Sequence, residues 1–283
     1  MSNLRLIPFE QEVARKIHLT FPSFGGMPEI LSKNLRAIAQ VNPDYSVILY
    51  DDKAILDLIL DEFGPKILSI YNRINPIYGA ARADFFRYLC VYRFGGVYLD
   101  IKAQLRKPLS ESLLPSDRYI LSHWDQEIEG GKYSTWGVQP GLEQVPGGEY
   151  QQWHIISCAG HPFLRAVIEA VIDKIDKYNP FRNGSGRNGV IRTTGPVVYT
   201  QTIHQLLEKY PFRLVNIVRD FGIDYSIFSD ANGEKHRQLF KHHYGLLTEP
   251  VVLNNAAIDA SYNACMKCIG LIRAVRNRIR KQF

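Results

Sequence analysis

The chain has 283 residues, of which 46% are hydrophobic and 22% charged, and its formal net charge is +6. This length suits one large domain with its own core, and the composition is ordinary for a globular protein. No apolar run reaches the ~20 residues that a helix needs to cross a bilayer. The polar start Met1-Ser2-Asn3 lacks a signal-peptide pattern, so we expect a cytoplasmic protein.

The four cysteines are too few for a disulfide framework in a chain of this size. Cys265 and Cys268 form a single CxxC pair without the second pair that a zinc site needs. We therefore expect no cysteine-based metal or redox centre.

The first part of the chain alternates strand patterns with helix patterns. Lys16–Thr20 and residues 45–50 have the composition of strands, whereas Glu29–Val41 has apolar residues at helical spacing. Asp51 and Asp52 are placed to cap the next helix, which explains them without any contact to a ligand. Strands alternating with helices predict a Rossmann-like α/β fold.

The most informative stretch runs from residue 79 to 108. It begins with a helical pattern and continues through Gly95, which we expect to end the helix in a left-handed conformation, and Gly96, which allows a tight reversal. The apolar run 97–99 then predicts a strand covered on both faces, with Asp100 at its carboxyl end. Ligands of open α/β sheets bind beyond such strand ends, so Asp100 is the first candidate for an active site.

The second half of the chain contains weaker patterns. We expect strands at 119–121 and 153–158, a helix at 162–178, a flexible loop at 179–188 and short strands at 214–218 and 225–228. Thr193-Thr194-Gly195-Pro196 has the residues of a helix start, where Gly195 would also permit close approach of a phosphate. A plain helix start explains the same residues equally well.

The segment 123–148 is the least regular part of the sequence. It interleaves aromatic rings with carboxylates, namely Trp124, Asp125, Glu127, Glu129, Tyr133 and Trp136. Rings that stack on a sugar and carboxylates that bind its hydroxyls suit an acceptor sugar. An exposed loop without a ligand is the alternative, and the sequence does not decide between them.

The last 28 residues differ in composition from the rest. From Lys267 onward the chain is basic without an acidic residue, while Ile269, Ile272, Val275 and Ile279 fall near one face of a helix. Such a helix can lie on an anionic membrane or pack on the core with a solvated basic face. We divide the chain into a catalytic domain at 1–255 and a basic helical tail at 256–283, with peripheral contact to the inner membrane face as an expectation.

Residues 81–100, with the sequence A-R-A-D-F-F-R-Y-L-C-V-Y-R-F-G-G-V-Y-L-D, resemble the core of glycosyltransferase family 32, whose members carry a DXD-type motif. Three weaker segments in the family's order are R-K-I-H-L-T-F at 15–21, T-T-G-P-V-V-Y-T at 193–200 and H-H-Y-G-L-L-T at 242–248. The resemblance implies a GT-A type fold and transfer of a sugar from a nucleoside diphosphate sugar to a glycan or glycolipid hydroxyl, with retained anomeric configuration.

The resemblance also implies roles for individual residues. Asp100 and Lys102 are the catalytic candidates, and a divalent metal, Mn²⁺ or Mg²⁺, would be held by Asp100, His242 and His243. The implied donor-binding residues are His18, Asp84, Arg87, Gly95, Gly96, Tyr98 and Gly195. The alternative for His18 is an ordinary position in the core. The alternative for Asp84 and Arg87 is a solvated ion pair on the helix surface.

One residue departs from the family pattern. Lys102 stands where the family has the second aspartate, so Asp100 would hold a metal weakly. Alternation along a regular strand would turn Asp100 and Lys102 to the same side, where Lys102 faces the diphosphate. This departure favours a catalytically inactive nucleotide-sugar or carbohydrate-binding homologue as the alternative function. A glycoside hydrolase would need two flanking carboxylates, for which no pattern exists, and no nucleic-acid motif is present.

Overall fold

The computed structural model describes residues 4–124, 136–228, 244–254 and 256–280, with side chains described to residue 268 in the last range. Its centre is a six-stranded sheet with the order β2-β1-β3-β6-β5-β7. These strands are β1 (Lys16–Thr20), β2 (Ser46–Tyr50), β3 (Gly96–Leu99), β5 (Tyr119–Ser122), β6 (His154–Ser157) and β7 (Arg213–Val215). A separate two-stranded sheet pairs β4 (Gln104–Leu105) with β8 (Ile223–Asp224).

Helices cover this sheet on both faces. The helices of the described residues are α1 (Glu29–Val41), α2 (Asp52–Arg73), α3 (Gly79–Phe94), α4 (Pro162–Asp176), α5 (Pro180–Asn183), α6 (Gly186–Thr193), α7 (Pro196–His204), α8 (Ile217–Phe221) and α9 (Ala256–Arg280). The α/β class with a mixed central sheet therefore confirms the prediction from sequence. None of the helices in the described ranges is both long and apolar enough to span a bilayer.

The strand directions bring five carboxyl ends to one edge of the sheet. β1 is parallel to β2 and β3, and β5 is parallel to β7. β6 is antiparallel to both β3 and β5, so β3 and β5 share one direction. We call the edge at Thr20, Tyr50, Leu99, Ser122 and Val215 the C-terminal edge, and β6 begins there. It is the edge at which α/β proteins bind ligands.

Strand β3 lies at the centre of the core. All four of its residues are buried, as expected for a strand covered on both faces. Val97 and Leu99 belong to the apolar cluster beneath α1 and α8, whereas Tyr98 belongs to the cluster around α2, α3 and α4. This alternation turns Tyr98 toward α3, which carries Asp84 and Arg87.

Gly95 and Gly96, where α3 ends and β3 begins, agree only in part with the conformations predicted from the sequence. Gly95 has φ +63° but ψ −167°, which is not the left-handed helical conformation expected. A Cβ on Gly95 would lie 2.7 Å from the Ala159 backbone nitrogen, and one on Gly96 would lie 2.6 Å from the Lys16 carbonyl oxygen. The glycines therefore allow α3 and β3 to join while β1 and the segment after β6 approach closely.

Three predictions for the second half were wrong in whole or in part. Residues 179–188 are not a loop, because Asn179 accepts a hydrogen bond from the Phe181 backbone and starts α5, and α6 follows after Gly184. The predicted strand 214–218 is β7 followed by α8, whose Asn216 cap ends the strand pattern. The strand predicted at 225–228 lies earlier, at β8, where it pairs with β4. In each case a polar cap or a distant strand outweighed the local apolar pattern.

Candidate active site

Arg87 is the centre of a buried polar network at the C-terminal edge. Its Nη2 lies 3.0 Å from Asp100 Oδ1 and 3.2 Å from Asp84 Oδ1. The guanidinium also lies over the Tyr98 ring, 4.8 Å from its centroid. One helix residue thus bridges a carboxylate of its own helix and the first residue after β3.

Gln152, two residues before β6, completes this network. Arg87 Nη1 donates to the Gln152 backbone oxygen at 2.7 Å and to Gln152 Oε1 at 3.0 Å. Gln152 Nε2 donates to Asp84 Oδ1 at 3.1 Å, and the Tyr88 hydroxyl donates to Gln152 Oε1 at 2.9 Å. No sequence pattern indicated Gln152, since it lies 65 positions from Arg87 in a segment without a motif.

Asp84 is fully enclosed by its partners. Its second oxygen accepts a hydrogen bond from Thr194 Oγ1 at 3.0 Å. Burial raises the pKa of Asp84, an effect opposed by Arg87 and by the hydrogen bonds from Gln152 and Thr194. Burial disfavours the charged form of Arg87, but the carboxylates of Asp100 and Asp84 keep its pKa raised. The alternative of a solvated surface pair is therefore wrong for Asp84 and Arg87.

Asp100 is the member of the network that reaches the surface. Its side chain is 24% exposed, whereas those of Asp84 and Arg87 are buried. Its backbone nitrogen donates to the Trp153 oxygen at 2.9 Å, which ties Asp100 to the residue before β6. A ligand that approaches this edge would meet the Asp100 carboxylate first.

Lys102 lies close to Asp100 in sequence but has different partners. β3 ends at Leu99, and the Ala103 nitrogen donates to the Asp100 oxygen in a turn, so the argument from strand alternation does not apply. Lys102 is buried, and its Nζ donates to the Tyr225 hydroxyl at 2.6 Å and lies 4.0 Å from the Tyr225 ring centroid. The structure therefore places a cation, not a carboxylate, beside the candidate site.

The remaining predicted donor-binding residues have packing contacts. His18 is fully buried, with its Nδ1 3.0 Å from the Tyr50 hydroxyl and its Nε2 3.0 Å from the Gly95 oxygen. Burial lowers the pKa of His18 to about 4. These contacts are those of a core residue, and a contact between His18 and the donor stays a prediction.

Tyr98 and Gly195 are also held by the protein itself. The Tyr98 hydroxyl lies 3.2 Å from Thr20 Oγ1, at the end of β1. Gly195 is the residue before α7, and a Cβ there would lie 2.7 Å from the Ile191 Cα. Close packing of α6 on α7 therefore explains Gly195, and its contact with a phosphate stays a prediction. The Tyr98 ring packs against the Arg87 guanidinium and so helps to hold it in place.

The described residues do not fit a divalent-metal site. Within the described ranges, no group of three histidine, cysteine, aspartate or glutamate side chains is close enough to hold a metal. Asp100 is paired with Arg87, and Lys102 replaces the second acidic residue. Hard cations need several oxygen ligands, which this arrangement does not supply. The predicted ligands His242 and His243 lie outside the described residues.

Four aromatic rings lie next to this network. Trp124, Trp136, Trp153 and Tyr225 have neighbouring ring centroids 4.9–6.3 Å apart, and we call them the aromatic cluster. The sequence indicated Trp124 and Trp136, but not Trp153 and Tyr225, which come from distant segments. The other predicted acceptor residues, Asp125, Glu127, Glu129 and Tyr133, lie outside the described residues.

Several solved structures show a partial likeness to this fold. One is the PaToxG glycosyltransferase, at 16% identity and a TM-score of 0.48, with 83% of this chain and 87% of that chain covered. Another is the UDP-bound glycosyltransferase domain from the YGT toxin, at 10% identity and a TM-score of 0.47, covering 93% and 91%.

The sequence comparisons cover the segment that carries the network. Residues 28–120 match the family model described as a glycosyltransferase sugar-binding region containing a DXD motif. The initiation-specific α-1,6-mannosyltransferases of Candida albicans and Schizosaccharomyces pombe are 29% and 28% identical over 59% and 62% of this chain. The chain spans less than half of each, 45% of their length. Residues 28–120, which include Asp84, Arg87 and Asp100, are thus similar to the sugar-binding region of glycosyltransferases that contain a DXD motif.

Proposed function

We propose that this enzyme transfers a sugar from a nucleoside diphosphate sugar to a hydroxyl of a glycan or glycolipid, with retention of configuration. The observation that carries the proposal is the Asp84–Arg87–Asp100 network at the C-terminal edge, inside the matched sugar-binding region. The mannosyltransferases among the relatives make mannose the first donor sugar to test. Surface polysaccharide or glycoconjugate synthesis is the process that such a reaction would serve.

In the proposed reaction, the residues of the network bind and orient the donor. The Asp100 carboxylate, the exposed member, accepts hydrogen bonds from sugar hydroxyls, and Arg87 holds that carboxylate at one angle. Asp84, Gln152 and Thr194 keep the Arg87 fork fixed before the donor arrives. Such preorganisation avoids reorientation of dipoles during the reaction, which is a main source of transition-state stabilisation.

The difficult step is departure of the diphosphate, whose negative charge grows as the glycosidic bond breaks. A DXD motif implies a divalent metal that neutralises this charge, but the described residues do not form such a site. We propose a weakened metal requirement, in which the Lys102 ammonium supplies part of the positive charge. Lys102 stands at the second DXD position, two residues from Asp100, which supports this role.

The same substitution favours the second candidate function. A homologue that has lost catalysis would bind nucleotide sugar or carbohydrate without turnover, and Lys102 in place of an acidic residue is its support. Both functions predict nucleotide binding, whereas only the enzyme forms a transferred product.

A thermal-shift panel tests the donor class. Ligands that bind the native state raise its stability by mass action, so the panel compares UDP, GDP and their sugars with and without Mn²⁺. We expect one nucleotide series to raise the melting temperature, with a smaller rise for Asp100→Asn. If no nucleotide raised the melting temperature, both candidate functions would be contradicted.

We also propose that α9 brings the enzyme to an anionic membrane surface, at the inner face. Tyr262 anchors the start of the helix, since its hydroxyl donates to Ser185 Oγ at 3.0 Å and its ring meets Phe181. The sequence beyond it carries basic residues without an acidic one, namely Lys267, Arg273, Arg276, Arg278, Arg280 and Lys281. Each basic residue near such a surface contributes ~1 kcal/mol of attraction.

Liposome co-sedimentation tests this location. The full chain is compared with a chain truncated after Cys268, which keeps the Tyr262 anchor. We expect the full chain to sediment with vesicles that contain phosphatidylserine and not with pure phosphatidylcholine. Equal sedimentation of the two chains with anionic vesicles would remove the proposal.

A further inference from the structure

All three tryptophans of the chain meet in the aromatic cluster. Tyr225 touches each of them, with ring centroids 5.2, 5.5 and 5.3 Å from those of Trp124, Trp136 and Trp153. They come from the end of β5, from the segments before β6 and from the residue after β8. A contact among four such separate segments is fixed by the tertiary fold and not by local sequence.

The cluster is continuous with the candidate donor site. The Trp153 backbone oxygen accepts the hydrogen bond from the Asp100 nitrogen, and Gln152, the preceding residue, holds Arg87. Lys102 donates to the Tyr225 hydroxyl. A molecule on the cluster would therefore lie beside Asp100, where a transferred sugar must meet its acceptor.

Two buried polar groups in and beside the cluster have no hydrogen-bond partner among the residues that the structure describes. Trp153 is 4% exposed and its indole Nε1 is unpaired, while Glu149 is 6% exposed and its Oε2 is unpaired. The other oxygen of Glu149 accepts from Trp124 Nε1 at 2.6 Å, which joins Glu149 to the cluster. A buried polar group without a hydrogen-bond partner is destabilising, and a ligand that bonds to it removes that cost.

This combination has the chemistry of carbohydrate recognition. One unpaired group is a donor and the other an acceptor, which matches hydroxyls that both accept and donate. The rings supply the apolar surface on which a pyranose stacks. Trp136 is 40% exposed and is the most exposed member of the cluster, while Tyr225 is partly exposed.

We propose that the aromatic cluster and Glu149 form the acceptor subsite and bind a neutral pyranose, an inference that rests on the proposed transferase function. The sugar stacks on Trp136, donates a hydroxyl to Glu149 Oε2 and accepts from Trp153 Nε1. Because these two atoms are buried, the sugar reaches them only when the Trp136 ring shifts. Glu149 and Trp153 thereby determine which hydroxyl faces Asp100.

Intrinsic fluorescence tests the subsite directly, since every tryptophan of the chain reports on it. The full chain is titrated with methyl α-mannoside, methyl α-glucoside and methyl β-galactoside and with their disaccharides. We expect a saturable change with at least one series. The affinity should fall about tenfold in Trp136→Ala and in Glu149→Gln, the loss expected for one aromatic contact or one hydrogen bond.

Phe212→Ala serves as the matched control. Phe212 is an exposed aromatic residue that precedes β7, at the opposite edge of the sheet. It should keep the affinity of the native chain within twofold, and the melting temperatures of all variants show whether they fold. The subsite would be overturned if no saccharide bound saturably. It would also be overturned if Trp136→Ala bound the saccharides with the same affinity as the native chain.

A nucleotide arm separates this proposal from the proposed function. Trp136→Ala should keep the thermal shift that UDP or GDP produces, because the donor site remains intact. Loss of that shift together with unchanged saccharide affinity would assign the cluster to the nucleotide base and overturn the acceptor subsite. If saccharides bound but no nucleotide raised the melting temperature, the result would contradict the proposed transferase function. It would not contradict the sugar subsite.

Discussion

Arg87 Nη2 donates to Asp100 Oδ1 across 3.0 Å and so joins the middle of α3 to the first residue after β3. The two residues are 13 positions apart, on either side of the Gly95–Gly96 connection. The guanidinium is buried while the carboxylate remains partly exposed. The fold therefore holds an exposed carboxylate in position through a buried cation.

Removal of Arg87 should destabilise the protein, whereas neutralisation of Asp100 should not. Arg87→Met leaves the buried Asp84 carboxylate without its cation, and breaking a buried pair costs about 3–5 kcal/mol. Asp100→Asn keeps the shape of a half-exposed side chain, so its cost should stay below about 1 kcal/mol. Urea unfolding of the two variants measures the difference. A fully stable Arg87→Met would show that the network is not held by this ion pair.

Gly95→Ala should destabilise the protein through its backbone. Gly95 has φ +63°, and the added Cβ would meet the Ala159 nitrogen, which cannot move without shifting the chain after β6. Strained backbone of this kind costs about 1–3 kcal/mol before the steric clash is included. The matched control is Gly25→Ala, whose Cβ meets nothing within 4 Å. Similar urea midpoints for the two variants would contradict this role of Gly95.

The protein should lose stability as the pH falls below neutrality. Burial lowers the pKa of His18 and His161 to about 4, and burial with the Arg87 charge lowers that of His154 to about 3. Since the unfolded state binds these protons near pH 6.5, the stabilisation is complete above that pH and is lost progressively as the pH falls through 4.

Unfolding free energies at pH 7.5 and 5.0 measure this loss. His161→Asn serves as the comparison, because Asn can accept the capping hydrogen bond from the Phe163 nitrogen without titrating. The difference between the two pH values should be smaller in this variant. An unchanged difference would mean that His161 does not contribute to the pH dependence.

Lys102 should matter more to activity than His243, and the metal requirement should be weak. In an assay across an EDTA-to-Mn²⁺ series, the native chain should keep measurable activity in EDTA. Lys102→Ala should lower activity more than His243→Ala, because loss of a charged contact to the leaving group costs about 10²-fold. Complete loss of native activity in EDTA, with Lys102→Ala fully active in Mn²⁺, would show that Lys102 plays no part.

Local patterns sufficed to predict the elements around Asp100. Helical spacing predicted α3, the glycine pair marked its end, and the apolar run predicted β3. The spacing of Asp84 and Arg87 placed both on one helix face, but it did not reveal that this face is buried. Burial depends on β6 and α6, which pack against α3 from remote parts of the chain.

The partners of these residues could not be predicted for the same reason. Gln152 reaches Asp84 from 68 positions away and belongs to no motif, whereas Thr194, 110 positions away, lies in a family segment in which only Gly195 was a candidate. His18 shows the opposite case, since its place inside a family motif suggested donor contact, which stays a prediction. Its two ring nitrogens instead satisfy Tyr50 and Gly95, as a buried polar side chain requires.

Sugar transfer by the native chain and by Asp100→Asn tests the central claim most directly. A radiolabelled donor of the nucleotide series found by thermal shift is incubated with an acceptor glycan, and the labelled glycan is counted. We expect transfer by the native chain and a loss of about 10²-fold or more in Asp100→Asn, with both proteins folded. Near-native transfer by Asp100→Asn would contradict the assignment of the site.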